Sequence, residues 1–597
     1  MKRTFLILVF FVISCSSQRH VIHPGPPGSV TGSVTSDGSP LPGVTVTLQS
    51  ASRPALTRVT DVNGRYVFFG VPVGTYTVTT ALEGFTPLTY TVAVTGKEGF
   101  ALYSEMRPAS ISESITVTAS SAADLPLARS YSSAMGGLSI ENSIQEVGPH
   151  YAAIREHGFI DTKKETVATF AIDVDRASYA NVRRYLRDGH VPPPDAVRIE
   201  EMVNYFTYSY PQPADDALFS VTTEVAGCPW NAGNRLVRVG IQGRNLEQWR
   251  MAPNNLVFLI DVSGSMTDDT KLPLLQQAFR VLVQELRAED RVAIVVYAGA
   301  AGLVLPSTSG ADKATILAAL GGLSAGGSTA GGAGIELAYV VARQNFLEQG
   351  NNRVILATDG DFNVGVSSME GLEKLIEDKR RSGIFLSVVG VGSDNLQDAT
   401  MEMLADKGNG NYSYLDSLLE AEKVFRHELT GTLVTIAKDV KVQLDFDPKA
   451  VTSYRQIGYE NRALANKDFD DDEKDAGELG AGHSVTALFE IVPAASASSK
   501  PKRLATLRLR YKEPKGRTSH PLTAEVVDEG KSAYEASPDL QFAAAVAALG
   551  MLLRDSPHKG TATWDDVFQL ARLSQGVDLD GTRTEFIKLA EAARGLK

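Results

Sequence analysis

Two cysteines in 597 residues, Cys15 and Cys228, are too few for a disulfide framework or a thiolate zinc cluster. Long apolar runs are missing as well: residues 5–13 form an unbroken apolar stretch of nine, well short of the ~20 that a spanning helix takes. With a mean hydropathy of -0.07, a multi-span membrane protein is excluded. Positive charge is in deficit, 58 Lys+Arg against 70 Asp+Glu, for a net charge of -12. That argues against a general nucleic-acid binder, which needs a basic face. The nine histidines are scattered and no HExxH string occurs, so zinc catalysis has no sequence support. No GxSxG elbow, Walker A string or repeat of 20–50 residues is present. Gly390-x-Gly392 and Gly408-x-Gly410 lack the rest of a dinucleotide fingerprint and read as turns. What remains is an ordinary globular composition, 43% hydrophobic and 21% charged, long enough for three or four domains.

The N-terminus pairs a positive start, Lys2 and Arg3, with the short apolar stretch, as a secretory leader does. The stretch ends in Val12, Ile13, Ser14 and Cys15, which resembles the lipobox of bacterial lipoproteins. That resemblance implies a signal peptide over 1–14, acylation of Cys15, and an envelope protein held to a membrane by its lipid. Ser16, rather than Asp, follows the cysteine, which under the sorting rule of enterobacterial lipoproteins implies the outer membrane. The alternative is an ordinary secretory signal whose cleavage site happens to contain cysteine. Cys228 is then a lone thiol, expected to be buried and inert.

A polar, Pro/Gly-containing tether is expected over 15–29. From 30 to 118 short alternating strands such as Val44-Thr45-Val46-Thr47-Leu48 are separated by turn pairs, among them Asp37-Gly38 and Asn63-Gly64. This predicts a β-sandwich. The segments PLPGVTV, GRYVF, VPVGTYTV and EGF resemble the carboxypeptidase-regulatory-like domain, a transthyretin-like sandwich that brings no catalytic residues. A linker is expected over 119–166 and a β-rich flanking domain over 167–250.

Between 251 and 432 the pattern changes. Continuous apolar strands at 256–260, 292–297, 354–357 and 384–389 alternate with helical periodicity at 272–286, 311–320, 334–344, 372–380 and 398–407. Strands apolar on both faces with intervening helices predict a doubly wound α/β domain, whose ligands bind beyond the carboxyl ends of its strands. Residues 433–597 return to strands and close with helices, an α+β region.

One string stands at the end of the first α/β strand: Asp261-Val262-Ser263-Gly264-Ser265. A carboxylate and two hydroxyls at alternate positions can reach one hard cation, and Mg²⁺ takes six oxygens. Further oxygens are available from Thr329, 68 residues on in a Gly-rich loop, and from Asp359, 30 residues later in Thr358-Asp359-Gly360. The alternative reading makes Asp261 an Asx-turn or helix N-cap and the serines loop solvation. The three elements together resemble the metal-ion-dependent adhesion site (MIDAS) of the von Willebrand factor type A domain. That resemblance implies Asp261, Ser263, Ser265, Thr329 and Asp359 as ligands of Mg²⁺ (or Mn²⁺ or Ca²⁺), with Asp359 direct or through water. It also implies an open metal position that accepts an acidic side chain of a protein partner, and a last helix that responds to occupancy. Asp361 and Asn363 are assigned to turn shaping.

Longer segments, including FAIDVDRASYANVRRYL, PPPDAVRIEEMVNYFTYSYP, NNRVILATDGDFNVG and GAGHSVTALFEIVP, resemble a bacterial YfbK-type family that joins a von Willebrand A domain to flanking domains on both sides. The implied protein is a non-catalytic, membrane-anchored lipoprotein that binds a protein partner through the metal and binds no nucleic acid. The other reading is an envelope scaffold whose metal only stabilises the fold. A hydrolase is disfavoured because no general base stands near the hydroxyl ligands. The acidic run 468–475 lacks the ligand order of an EF-hand and reads as a solvated loop.

Overall fold

The computed structural model describes residues 21–106 apart from 26–28, 37–38, 42, 51–52, 62–63, 70, 83–84, 86 and 95–98. It also describes 149–597 apart from 173, 247–250, 299–300, 327–330, 361–368, 394–395, 429–430, 432, 473, 475, 495–501 and 515. The chain forms two compact units.

In the N-terminal unit two sheets pack face to face. Ser29–Ser36 pairs with Arg65–Phe69 on one side and, in parallel, with Gly99–Glu105 on the other. The second sheet runs Arg53–Val59, Thr45–Ser50, Gly74–Ala81, Leu88–Val94. Alternation sends Val46, Leu48, Val78 and Val92 inward onto Val30, Val34 and Phe68, all buried. The expected sandwich is therefore present over its described residues. Its first strand, however, is Val21–Gly25, paired antiparallel with Gly99–Tyr103 inside the stretch expected to be a tether. Backbone pairing to an open edge needs no apolar side chains, and proline is tolerated on an edge strand, so the composition of this segment concealed it. Residues 107–148, with the end of the expected sandwich and most of the expected linker, lie outside the described residues, as do Cys15 and the leader.

A six-stranded sheet runs in the order Ala301–Ser309, Arg291–Tyr297, Asn254–Asp261, Asn351–Thr358, Phe385–Gly390, Tyr412–Tyr414. Numbered along the chain this is 3-2-1-4-5-6, the doubly wound order. All eight residues of Asn254–Asp261 are buried, because parallel strands flank them and helices cover both faces. Helix Leu272–Glu285 buries Leu272, Leu275, Ala278, Phe279 and Leu282 at three- and four-residue spacing, and Phe279 stacks on Phe258. The edge strand Ala301–Ser309 was not anticipated, since Pro306 and its polar end break the apolar pattern. The final helical segment, Leu418–Glu422, continues as a π-helical turn over Lys423–His427.

The regions on either side of this domain form one body instead of two. One sheet runs Ile160–Asp161, Val451–Ile457, Ser484–Pro493, Asn231–Gly243, Phe219–Cys228; the other runs Val167–Ala171, Thr435–Phe446, Lys502–Lys512, His520–Asp528. Strands from before and after the α/β domain are combined in both sheets and share a core of Phe170, Val239, Val442, Phe489 and Leu507. Helices Ala177–Arg187 and Ile199–Asn204 similarly pack with Pro538–Arg554 and Thr582–Leu596. The stretches expected as flanking domains, 167–250 and 433–597, thus share both sheets: Val167–Ala171 pairs with Thr435–Phe446, and Asn231–Gly243 with Ser484–Pro493. The described part of the expected linker, 149–166, also belongs here, with Ile160–Asp161 on the edge of the first sheet. Cys228 is buried as expected, and burial first, then the Glu490 charge, pushes its thiol well up. Among the described residues no helix is long and apolar enough to cross a membrane.

Candidate metal centre

Strand order changes direction between Asn254–Asp261 and Asn351–Thr358, the adjacent strands numbered 1 and 4 above. A crevice opens beyond their carboxyl ends at such a switch point. Asp261 is the last residue of one strand and Asp359 follows the other, both 0% exposed. The sheet itself therefore brings together two carboxylates that lie 98 residues apart in sequence.

The loop after Asp261 is held from within. Ser263 N–H donates to Asp261 Oδ1 at 2.8 Å, an Asx turn that closes the bend. Met266, fully buried, pins the short 3₁₀ turn Gly264–Thr267. The Ser263 and Ser265 hydroxyl oxygens come to 3.0 Å of each other. Ser263 is buried, whereas Ser265 is exposed, so the hydroxyl pair leads from the crevice floor to solvent. Thr358 Oγ1 donates to Asp261 Oδ2 at 3.1 Å, and Gly360 N–H donates to Thr358 Oγ1 at 3.1 Å. Tyr297, fully buried, lies alongside; burial and the Asp261 charge keep its phenol protonated. Burial, and secondarily the like charge of Asp359, pushes the Asp261 carboxyl up. A cation in the crevice would offset both effects.

Of the five expected ligands, the structure brings together Asp261, Ser263, Ser265 and Asp359. Thr329 lies outside the described residues, as do Asp361 and Asn363. The Asx-turn reading of Asp261 holds for one oxygen and is compatible with ligation by the carboxylate. The N-cap reading does not hold, because the next helix starts at Leu272 with Lys271 at its cap. The donor set is all oxygen, carboxylate plus hydroxyl, which fits Mg²⁺, Mn²⁺ or Ca²⁺ and not a soft metal. No group of three or more His, Cys, Asp or Glu side chains placed to hold an ion occurs among the described residues. Two participants escaped the sequence reading. Thr358 was visible beside Asp359 but was not given the role of orienting Asp261. Lys271, whose Nζ stands 3.0 Å from Asp359 Oδ2, carried no motif signal.

The acidic run is spoken for by cations of the neighbouring sheet. Lys441 Nζ donates to the carbonyls of Asp468 and Asp471. Arg510 donates to Asp470 and Asp472, and Lys512 to Asp439 and the Asp472 carbonyl.

A cavity of about 770 Å³ opens away from the crevice, beside the last helical segment of the α/β domain, where Arg176, Lys423, Glu428 and His483 line it. Glu428 pairs with both Arg176 and Lys423, which hold its carboxyl down at about 2 against burial. Burial and the Arg176 charge hold His483 down at about 3, so the folded protein keeps it neutral. An unfolded chain protonates this histidine below about 6.5 and the glutamate below about 4.5. Both differences make acid destabilising, the histidine from about pH 6.5 downward and the glutamate from about 4.5 downward. Urea unfolding at pH 7 and pH 5 is expected to show a loss of up to ~2 kcal/mol from the histidine, and His483→Gln should flatten that decline.

Comparison with known proteins places family models along most of the chain. They match residues 29–105 as a carboxypeptidase regulatory-like domain, 145–238 as von Willebrand factor, 255–427 as a von Willebrand factor type A domain, and 431–596 as the C-terminal region of uncharacterized protein YfbK. Uncharacterized protein YfbK of Escherichia coli (strain K12) is 45% identical over 453 residues, covering 72% of this chain and 78% of that protein. Inter-alpha-trypsin inhibitor heavy chain H2 of Homo sapiens is 24% identical over 221 residues, 35% of this chain and 22% of that protein. Among solved structures, a von Willebrand factor type A protein from Catenulispora acidiphila aligns with a TM-score of 0.38 at 16% identity, over 64% of this chain and 91% of that one. The ArnB paralog VWA2 from Sulfolobus acidocaldarius aligns with a TM-score of 0.32 at 15% identity, over 64% of this chain and 98% of that one.

Proposed function

The chain belongs to the YfbK family of von Willebrand factor type A proteins, and from that premise we propose that it is a non-catalytic, metal-dependent binding protein of the bacterial envelope. The observation that carries the reading is the convergence of Asp261, Ser263, Ser265 and Asp359 on one crevice with an exposed hydroxyl at its mouth. Asp261, Ser263, Ser265, Thr329 and Asp359 would hold Mg²⁺, or Mn²⁺ or Ca²⁺. Bound there, a divalent ion supplies a positive charge that an acidic side chain of a protein partner can meet. The protein's own residues do the rest. Thr358 and the Ser263 N–H orient Asp261, and Met266 keeps the serine loop closed.

Acylation at Cys15 would hold the chain to a membrane, the outer membrane by the residue that follows it, and leave the crevice free to capture its partner. The net charge of -12 makes the ion necessary to this reading, since an acidic surface alone repels an acidic ligand. The test is purification from membranes in Mg²⁺ followed by elution with EDTA. A partner released by EDTA is the expected result. Capture that is indifferent to EDTA overturns the reading, and a Mg²⁺-dependent rise in melting temperature with no metal-sensitive partner turns it into the envelope-scaffold reading.

A further inference from the structure

Lys271 is only 2% exposed and its Nζ bonds to the wholly buried Asp359. Its position on the helix does not favour that placement. The residue caps the N-terminus of helix Leu272–Glu285, where the helix dipole opposes a cation. Solvent lies close, for the three residues before it are exposed. Lysine is seldom buried so completely, because its ammonium loses hydration. Room has nevertheless been made for it: Gly392, at φ +76°, leaves the space its stem fills, and a Cβ there would come within 2.5 Å of Lys271 Cε. The side chain is thus drawn inward past a glycine that accommodates it, to a carboxylate at the candidate metal centre.

We propose that Lys271 is a resident counter-cation of this centre, which keeps the metal-free domain folded and sets its divalent affinity low enough for exchange. Without an ion, Asp261 and Asp359 are two buried carboxylates at the ends of adjacent strands. Their mutual repulsion and lost hydration are costly unless a cation answers them. The ammonium answers Asp359 and leaves Asp261 to the hydrogen bonds from Ser263 and Thr358. An incoming divalent ion then shares the Asp359 carboxylate with a cation already in place, which lowers its affinity. A centre built this way loads and empties, whereas two unanswered carboxylates would bind an ion permanently as a structural part. The inference rests on the metal-centre reading and adds the residue that regulates it.

The test compares the full chain with Lys271→Met and with the double variant Lys271→Met/Asp359→Asn, using calorimetric titration with MgCl₂ and thermal melts in EDTA and in Mg²⁺. The wild type is expected to bind Mg²⁺ and to melt at similar temperatures in both buffers. Lys271→Met should bind Mg²⁺ at least ~10-fold more tightly, since one buried like charge is removed. Its melting temperature in EDTA should fall by several degrees and recover in Mg²⁺. The double variant should regain the EDTA melt, because the buried negative charge that Lys271 offset is gone. If Lys271→Met folds in neither buffer, the double variant decides: regained folding supports the proposal and failure to fold overturns it. Wild-type affinity together with an unchanged EDTA melt in Lys271→Met also overturns it. A wild type that binds no Mg²⁺ defeats the metal-centre reading itself, a different outcome.

Discussion

Asp261→Ala is expected to weaken Mg²⁺ binding at least ~100-fold and to abolish metal-dependent partner capture, while the protein stays folded in EDTA. A buried charge-assisted ligand that cannot be replaced by water is worth several kcal/mol, and each 1.4 kcal/mol is tenfold in affinity. Asp261 is the one carboxylate on the serine loop, and its two oxygens are already aimed by the Ser263 N–H and Thr358 Oγ1. Removing it leaves those two donors without their acceptor, a cost of ~1–3 kcal/mol. It also removes a carboxylate that burial destabilises and that repels Asp359, an opposing gain. The EDTA melt should therefore move little. Calorimetric titration and a melt in EDTA read the two halves of the prediction separately. Retained Mg²⁺ affinity in the variant would show that the ion binds elsewhere.

The second large effect lies where the α/β domain meets the body formed by its flanking regions. Arg198, 5% exposed at its side chain, precedes helix Ile199–Asn204 and pairs with Glu201 and with Asp398, which opens the α/β helix Asp398–Lys407. Glu402, one turn further on, stands 3.8 Å away, and burial pushes its carboxyl up to about 8 even beside this guanidinium. Tyr412 O–H donates to Asp398 Oδ1 at 3.0 Å and Arg462 approaches Glu402 from the flanking body. One arginine therefore answers several buried acids at the junction. Removing one partner of a buried pair leaves a charge without water or counter-ion, which costs ~3–5 kcal/mol. Arg198→Met should lower unfolding stability in urea by that amount, and Asp398→Asn in the same chain should restore part of it. A loss under ~1 kcal/mol would mean that the acids take up protons or water instead.

Much of this architecture could be read from residue patterns, and the reasons differ by element. The strand Asn254–Asp261 announces itself as a continuous apolar run because both its faces are covered, and the helix after it by spacing of three and four. The candidate metal centre was read from polar residues placed directly after such strands. Pairing between distant strands had no such signature. Asn231–Gly243 lies between Phe219–Cys228 and Ser484–Pro493, and alternation along it says which face is inward without saying which strand is next. The strand Val21–Gly25 was hidden for a related reason, since an edge is held by backbone groups that every sequence possesses. Lys271 was unreadable because a lysine before a helix is usually solvated, and only the fold brings Asp359 within its reach.

The interleaved flanking strands also set an order of assembly. Val239 cannot meet Ala487 until the chain between them, the whole α/β domain included, has been synthesised. The α/β domain, whose described strands and helices lie within one continuous stretch, is complete by then. The flanking body is the last part to close, and for as long as its first half waits, Val237, Val239 and Ile241 have no covering sheet. A chain cut short after the α/β domain would keep the sequence that carries the candidate metal ligands and lose the body around it. The exposed half-body, rather than the crevice, is then the part that a holding chaperone or a protease would meet.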